Sequence, residues 1–164
     1  MDKKTLRLAF CGLFAALTVI ATLISINVGG QAYLNCGDAV IHTCAYVVGG
    51  FPAALAAAVG SCLADLILGS ALYAPATFII KGLMALTGAL FFKTFKGRKK
   101  IVAILIAGLV MPVGYLAYEL FLYEPMVALS NALLNLIQYG FGCIVGYLLI
   151  EFSDKLKLKD TLSR

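Results

Sequence analysis

Six apolar stretches, at residues 6–27, 36–50, 52–68, 75–92, 101–123 and 126–152, occupy most of this chain, with only short polar breaks between them. A bilayer core of about 30 Å takes about 20 helical residues, and most of the stretches approach that length. Inside lipid, each backbone N–H and C=O must find its partner within the protein, which makes a helix the form such a stretch takes. The second stretch is short for a crossing and is expected to tilt or to thin the bilayer. Composition agrees: 62% of the 164 residues are hydrophobic and 13% charged, with a mean hydropathy of +0.99. A water-soluble domain of this size needs more polar surface to cover its core. The expected fold is an all-α integral membrane protein, one six-transmembrane-helix bundle over residues 1–164, with no second domain.

The breaks carry turn chemistry. "NVGGQAYLNCG" (27–37) reads as a polar, Gly-bearing loop, "GGFP" (49–52) as a tight turn, and "FKGRKK" (95–100) as a basic loop. Pro75 and Pro125 stand where a fourth and a sixth helix open, a position that suits proline because its missing N–H has no partner there anyway. The first stretch resembles a signal peptide in part but offers no small-x-small cleavage site, so it is read as a retained helix. The five cysteines, at 11, 36, 44, 62 and 143, follow no metal or disulfide spacing and read as small apolar filler.

A net charge of +5 invites a nucleic-acid reading, which the distribution of charge excludes. Twelve of the thirteen Lys and Arg fall in three blocks beside apolar stretches: 3–7, 93–100 and 155–164. Six crossings put all three blocks on one side, and the positive-inside rule makes that side, with both termini, cytoplasmic. The thirteenth is Lys81, inside the fourth stretch.

Polar groups inside a membrane are costly and face the bundle interior or water. Here they are Asp38, His42, Asp65, Lys81, Glu119, Asn131, Asn135 and Gln138. At about 1.5 Å per residue, all but the mid-membrane Gln138 fall in the outer half, and the inner halves read as nearly free of such groups. Asn131, Asn135 and Gln138 follow i, i+4, i+7 on one helix face, and Asp38 and His42 are one turn apart. Tyr33, Tyr73, Tyr115, Tyr118 and Tyr123 gather at the same outer level, as an aromatic belt does. The pattern describes an outward-opening polar pocket over an apolar plug, suited to capturing a small polar molecule. A channel would need a polar path on both sides. Each member also has a plain structural reading: Asp65 with Lys81 as an ion pair, Asp38 as a helix cap, the asparagines as interhelical contacts, Glu119 as a solvated carboxylate. Small-residue ridges, Gly12-x-x-x-Ala16 in the first stretch and Ala56-x-x-x-Gly60-x-x-x-Ala64 in the third, allow close helix approach.

The block "NCGDAVIHTCAYVVGGFPAALAAAVGSCLADLILGSALYAPATFIIKGL" (35–83) resembles the substrate-binding S components of energy-coupling factor vitamin transporters. The likeness lies in Gly37-Asp38, Gly49 with Pro52, Gly60-Ser61 with Ala64-Asp65, and Pro75-Ala76-Thr77 with Lys81-Gly82. It is nearest to the riboflavin-type group, to which pyridoxine and hydroxymethylpyrimidine transporters are assigned. The resemblance implies a six-helix, multi-pass protein of the bacterial plasma membrane with a vitamin site near its outer face. Substrate contacts are expected from Asp38, His42, Asp65, Tyr73, Lys81, Glu119, Asn131, Asn135 and Gln138. The resemblance also implies docking, through small residues such as Gly12 and Ala16, onto a transmembrane coupling subunit with two ATP-binding subunits.

No G-x-x-x-x-G-K-[ST] loop occurs, so no ATPase activity and no cofactor are expected of this chain. The polar mix suits pyridoxine or hydroxymethylpyrimidine better than the longer riboflavin. A stand-alone proton-coupled carrier is the alternative. A Ser61/His42 hydrolytic dyad is a poor one, because no group is placed to orient the histidine.

Overall fold

The computed structural model describes residues 2–29 and 32–163, with side chains for these except 27–29, 32, 33 and 163. The chain runs α1 (Lys3–Leu23), β1 (Ser25–Gly29), β2 (Ala32–Asn35), α2 (Gly37–Val47), α3 (Gly50–Ile67), α4 (Ala74–Thr94), α5 (Lys100–Leu122), α6 (Pro125–Lys155) and α7 (Leu158–Ser163). Pro75 and Pro125 lie in the first turns of α4 and α6, as their fixed φ favours. Among the described residues five helices, α1 and α3 to α6, are long and apolar enough to cross a membrane.

The first helix stops four residues short of the expected end. Ser25–Asn35, read from sequence as helix end and loop, pairs instead as an antiparallel hairpin, with Ser25 opposite Asn35 and Ile26 opposite Leu34. Ile26, Val28 and Tyr33 are residue types that suit strands, and the glycines among them favour a turn over a continuing helix. Tyr33 has no described side chain, so its place in the outer tyrosine group lies outside the described residues.

Eleven residues make α2 only about 16 Å long, well below a bilayer core. It has no need to reach lipid on both sides, because protein surrounds it: nine of its residues are buried, and it packs on α1, α3, α4 and α6. A two-residue link joins it to α3. Gly49 there has φ +67° and ψ 162°, a conformation open to glycine and unfavourable for residues with a Cβ. Arg7 Nη2 donates to Val48 O and Gly49 O, both at 3.0 Å, which satisfies carbonyls at the end of α2.

The small residues of α3 serve internal packing. Ala53, Ala56, Ala57, Gly60, Ser61 and Ala64 are all buried. A Cβ on Gly60 would sit 2.7 Å from the Ala15 carbonyl oxygen of α1, and one on Gly82 of α4 would meet Ala58 of α3 at 3.4 Å. Gly12 and Ala16 instead lie exposed on α1, and nothing stands within 4 Å of where a Gly12 Cβ would be.

All three basic blocks meet at one end of the bundle: Arg7, Lys93, Lys96 and Lys159 line a single groove there. That end is richer in buried polar groups than the sequence suggested. Lys100, 5% exposed, pairs with Glu151 at 2.7 Å and Asp154 at 2.5 Å, and the Tyr46 hydroxyl donates to Asp154 at 2.7 Å. The expectation of nearly apolar inner halves is corrected here. Lys100 looked like part of a solvated basic loop, and its carboxylate partners lie 51 and 54 positions away, on another helix.

Candidate functional site

The end of the bundle opposite the basic blocks encloses a cavity of about 100 Å³, walled by residues of α1 to α6 and the hairpin. The central contact is the Lys81–Asp38 ion pair, in which Lys81 Nζ donates to Asp38 Oδ1 with both side chains nearly inaccessible. The other Asp38 oxygen accepts from Gln138 Nε2 at 3.3 Å. Gln138 also clamps the hairpin: its Nε2 donates to Asn35 O, and its Oε1 accepts from Asn35 N, both at 3.0 Å. Asn35 Oδ1 in turn accepts from Gly37 N at 2.8 Å, satisfying a free donor at the start of α2. One turn below Gln138, Gly142 admits Asp38, whose Cβ would lie 2.9 Å from a Cβ at that position. The glycine on α6 is what lets α2 sit close enough for this network to form.

Glu119 stands on the α5 side, 2% exposed. Its Oε1 accepts from the Tyr73 hydroxyl at 3.2 Å, while Oε2 makes no close hydrogen bond among the described residues and has the Asn131 amide as a neighbouring donor. Tyr73 also reaches the Tyr123 hydroxyl at 3.4 Å, and Thr77 Oγ1 shares a 2.8 Å hydrogen bond with the Tyr115 hydroxyl. Lys81 Nζ lies 5.5 Å from the centre of the Tyr115 ring, a cation–π distance. Asp65 lines the cavity from α3, with Thr77 and Lys81 among its polar neighbours.

Seven of the nine residues expected to face a substrate line this cavity: Asp38, Asp65, Tyr73, Lys81, Glu119, Asn135 and Gln138. His42 does not. It lies one turn deeper, 1% exposed, with its ring against Gly146 of α6. Asn131 is also absent from the described lining; it is 4% exposed and stands beside Glu119, toward whose carboxylate its amide can donate. The suggested Asp65–Lys81 pair is replaced by Asp38–Lys81, because α2 runs inside the bundle and presents its carboxylate to α4. Asp38 is therefore no simple cap, and Glu119 is buried rather than solvated.

Sequence reasoning passed over Ser61, Thr77 and Tyr115 as site residues, yet all three line the cavity. A signal was present: each stands four positions before a recognised ionisable residue, Asp65, Lys81 or Glu119, and so shares its helix face. Thr22 and Asn35 come from the α1 end and the hairpin and had no such marker.

The Gln138 clamp is directly testable. Gln138→Leu is expected to cost about 2–4 kcal/mol, because two Asn35 backbone groups and one Asp38 oxygen lose a buried partner together. Denaturant unfolding in detergent, with proteolysis of the hairpin as a local readout, checks this. Unchanged protection of the hairpin would show that Gln138 does not hold it.

Comparisons with known proteins bear on the fold and the family. Residues 2–155 match the family model described as ECF-type riboflavin transporter, S component. A Pyrococcus woesei protein, described as an uncharacterized protein in a gap 3′ region, is 33% identical over 133 residues, covering 80% of this chain and 89% of the relative. A solved structure, described as the S component of a bacterial ECF transporter, superposes with a TM-score of 0.74 at 20% identity, covering 98% of this chain and 99% of that one. That likeness shows the fold, and the match over residues 2–155 shows the family: this chain belongs to the S components of the ECF-type riboflavin transporter family.

Proposed function

We propose that this chain captures a small B-type vitamin or precursor from outside the cell, as the membrane-embedded substrate-binding subunit of an ECF transporter. The observation that carries the reading is the polar cavity at one end of the bundle. Met111 forms part of its wall, and the buried core it adjoins is largely apolar, with Ile41, Met84 and Ala85, and His42 beneath the cavity as a buried polar group. A ligand can be held there above a largely apolar core, which supports capture and hand-over above conduction or stand-alone proton-coupled carriage.

Six crossings, with α2 as the short inner one, place both termini and the three basic blocks in the cytoplasm. The cavity then opens outward. ATP hydrolysis belongs to two nucleotide-binding partners, joined through a transmembrane coupling subunit. The exposed Gly12 and Ala16 on α1, in one row between the exposed Leu8 and Ile20, offer that subunit a notch for close helix approach.

The family model's name points to riboflavin. The cavity volume of about 100 Å³ favours a single small ring, pyridoxine or hydroxymethylpyrimidine, since sites for larger ligands run to about 300–1,000 Å³. The test is titration of the purified chain, without partners, with pyridoxine, hydroxymethylpyrimidine and riboflavin. Asn135→Ala is expected to weaken the bound compound about tenfold, the worth of one hydrogen bond, with unchanged unfolding. Failure of all three compounds to bind at micromolar concentrations would end the vitamin reading.

A further inference from the structure

The charge and hydrogen-bond character of the cavity point to the kind of ligand it accepts, provided the cavity is the vitamin site. Three carboxylates line it, Asp38, Asp65 and Glu119, against a single ammonium, Lys81. That ammonium is already committed. Asp38 holds it in a buried ion pair, and Gln138 holds Asp38 from the other side. Among the described lining residues there is no arginine and no second lysine. An anionic ligand would therefore meet two further carboxylates with no free cation to receive it, and like charges brought together out of water repel strongly.

Two buried oxygens sharpen the picture. Glu119 Oε2 and Ser61 Oγ both belong to lining residues, are 2% and 3% exposed by residue, and make no close hydrogen bond among the described residues. Buried polar atoms without partners are costly, and at a cavity wall a ligand can supply what is missing. Glu119 Oε2 can take a donor from a ligand, in competition with the neighbouring Asn131 amide. Ser61 Oγ accepts as readily as it donates. The Tyr73 hydroxyl, a potential donor to a ligand, is turned toward Glu119 and Tyr123 instead.

We propose that this cavity selects a small ring compound bearing hydroxyl, amino or protonated ring-nitrogen donors, and rejects the carboxylated or phosphorylated form of the same compound. Glu119 is the main determinant of that choice, with Ser61 and Asp65 beside it. The transporter then takes up the dephosphorylated, neutral or cationic vitamin, and any phosphorylation must follow uptake.

The test uses ligands of equal size and different charge on the purified full chain in detergent. Pyridoxamine, pyridoxine and 4-pyridoxate differ at one ring substituent, which is aminomethyl, hydroxymethyl or carboxylate. The aminomethyl, hydroxymethyl and carboxylate forms of the pyrimidine make a second series, and riboflavin against its 5′-phosphate a third arm. In whichever series binds, the anionic member is expected to bind about a hundredfold more weakly than the neutral one, the scale of a buried like-charge contact. Glu119→Gln, which keeps the shape and removes the charge, is expected to narrow that ratio about tenfold, and Asp65→Asn provides the same readout if Glu119→Gln fails to fold. An anionic member that binds as well as its neutral counterpart, or a ratio unmoved by either variant, overturns the proposal while leaving the vitamin reading intact. Absence of binding in every arm overturns both.

Discussion

Lys81→Ala is expected to destabilise the chain by about 3–5 kcal/mol, because it strands the Asp38 carboxylate in a site where that residue is 2% exposed. Asp38→Ala is expected to cost a similar amount by stranding the ammonium. The pair as a whole is worth far less than either loss suggests, since the attraction between its members mostly offsets their removal from water. The double variant Asp38→Leu with Lys81→Met is therefore expected to recover to within about 1–2 kcal/mol of the parent. Denaturant unfolding in detergent of the parent, this double variant and its two constituents, Asp38→Leu and Lys81→Met, gives the coupling energy directly. Additive single losses would mean that the two groups do not depend on each other. From sequence alone, Lys81→Ala is expected to weaken ligand binding and leave folding intact. The buried pair changes that expectation to a loss of both.

The second large effect concerns a residue with no side chain. Gly60→Ala puts a methyl 2.7 Å from the Ala15 carbonyl oxygen and 3.0 Å from Thr18 Cβ. Backbone cannot swing aside as a lysine tip can, so α1 must move away from α3. Forced overpacking of this kind costs about 1–3 kcal/mol, and Gly60→Leu is expected to prevent α1 from docking at all. Gly12→Ala on the same helix pair is the control. Nothing lies within 4 Å of that position, so unfolding is expected to match the parent. If α1 carries the surface for the coupling subunit, Gly12→Leu should lower co-purification with the energising subunits while leaving vitamin binding unchanged. Equal destabilisation by Gly12→Ala and Gly60→Ala would refute the assignment of faces on α1.

Much of the site was legible because membrane burial makes polar residues informative. Asp65, Lys81, Glu119 and Asn135 stood out against apolar neighbours, and counting residues along each helix put them at a common depth. His42 and Asn131 stood out equally, yet one lies beneath the cavity and the other beside it. Depth is read along one helix, but whether a side chain enters a cavity depends on rotation of that helix against its neighbours. The hairpin was missed for a different reason. Residues 25–27 prolong a helix on paper and the rest reads as a polar loop, and only the pairing of Ser25–Gly29 with Ala32–Asn35 reveals them as strands.

The sequence by itself determined that this chain lives in lipid, where its long helices begin, which termini carry the positive charge, and at which level its polar groups gather. Those are properties of single segments, set by hydropathy, proline position and a rise of about 1.5 Å per residue. The tertiary structure alone decided that Asp38, not Asp65, holds Lys81, that Gln138 ties the hairpin to α6, and that Ser61 and Glu119 line the cavity. These depend on how closely helices approach. Glycines at 60, 82 and 142 set that distance by what they leave out, and their contacts reach residues up to 104 positions away in the chain.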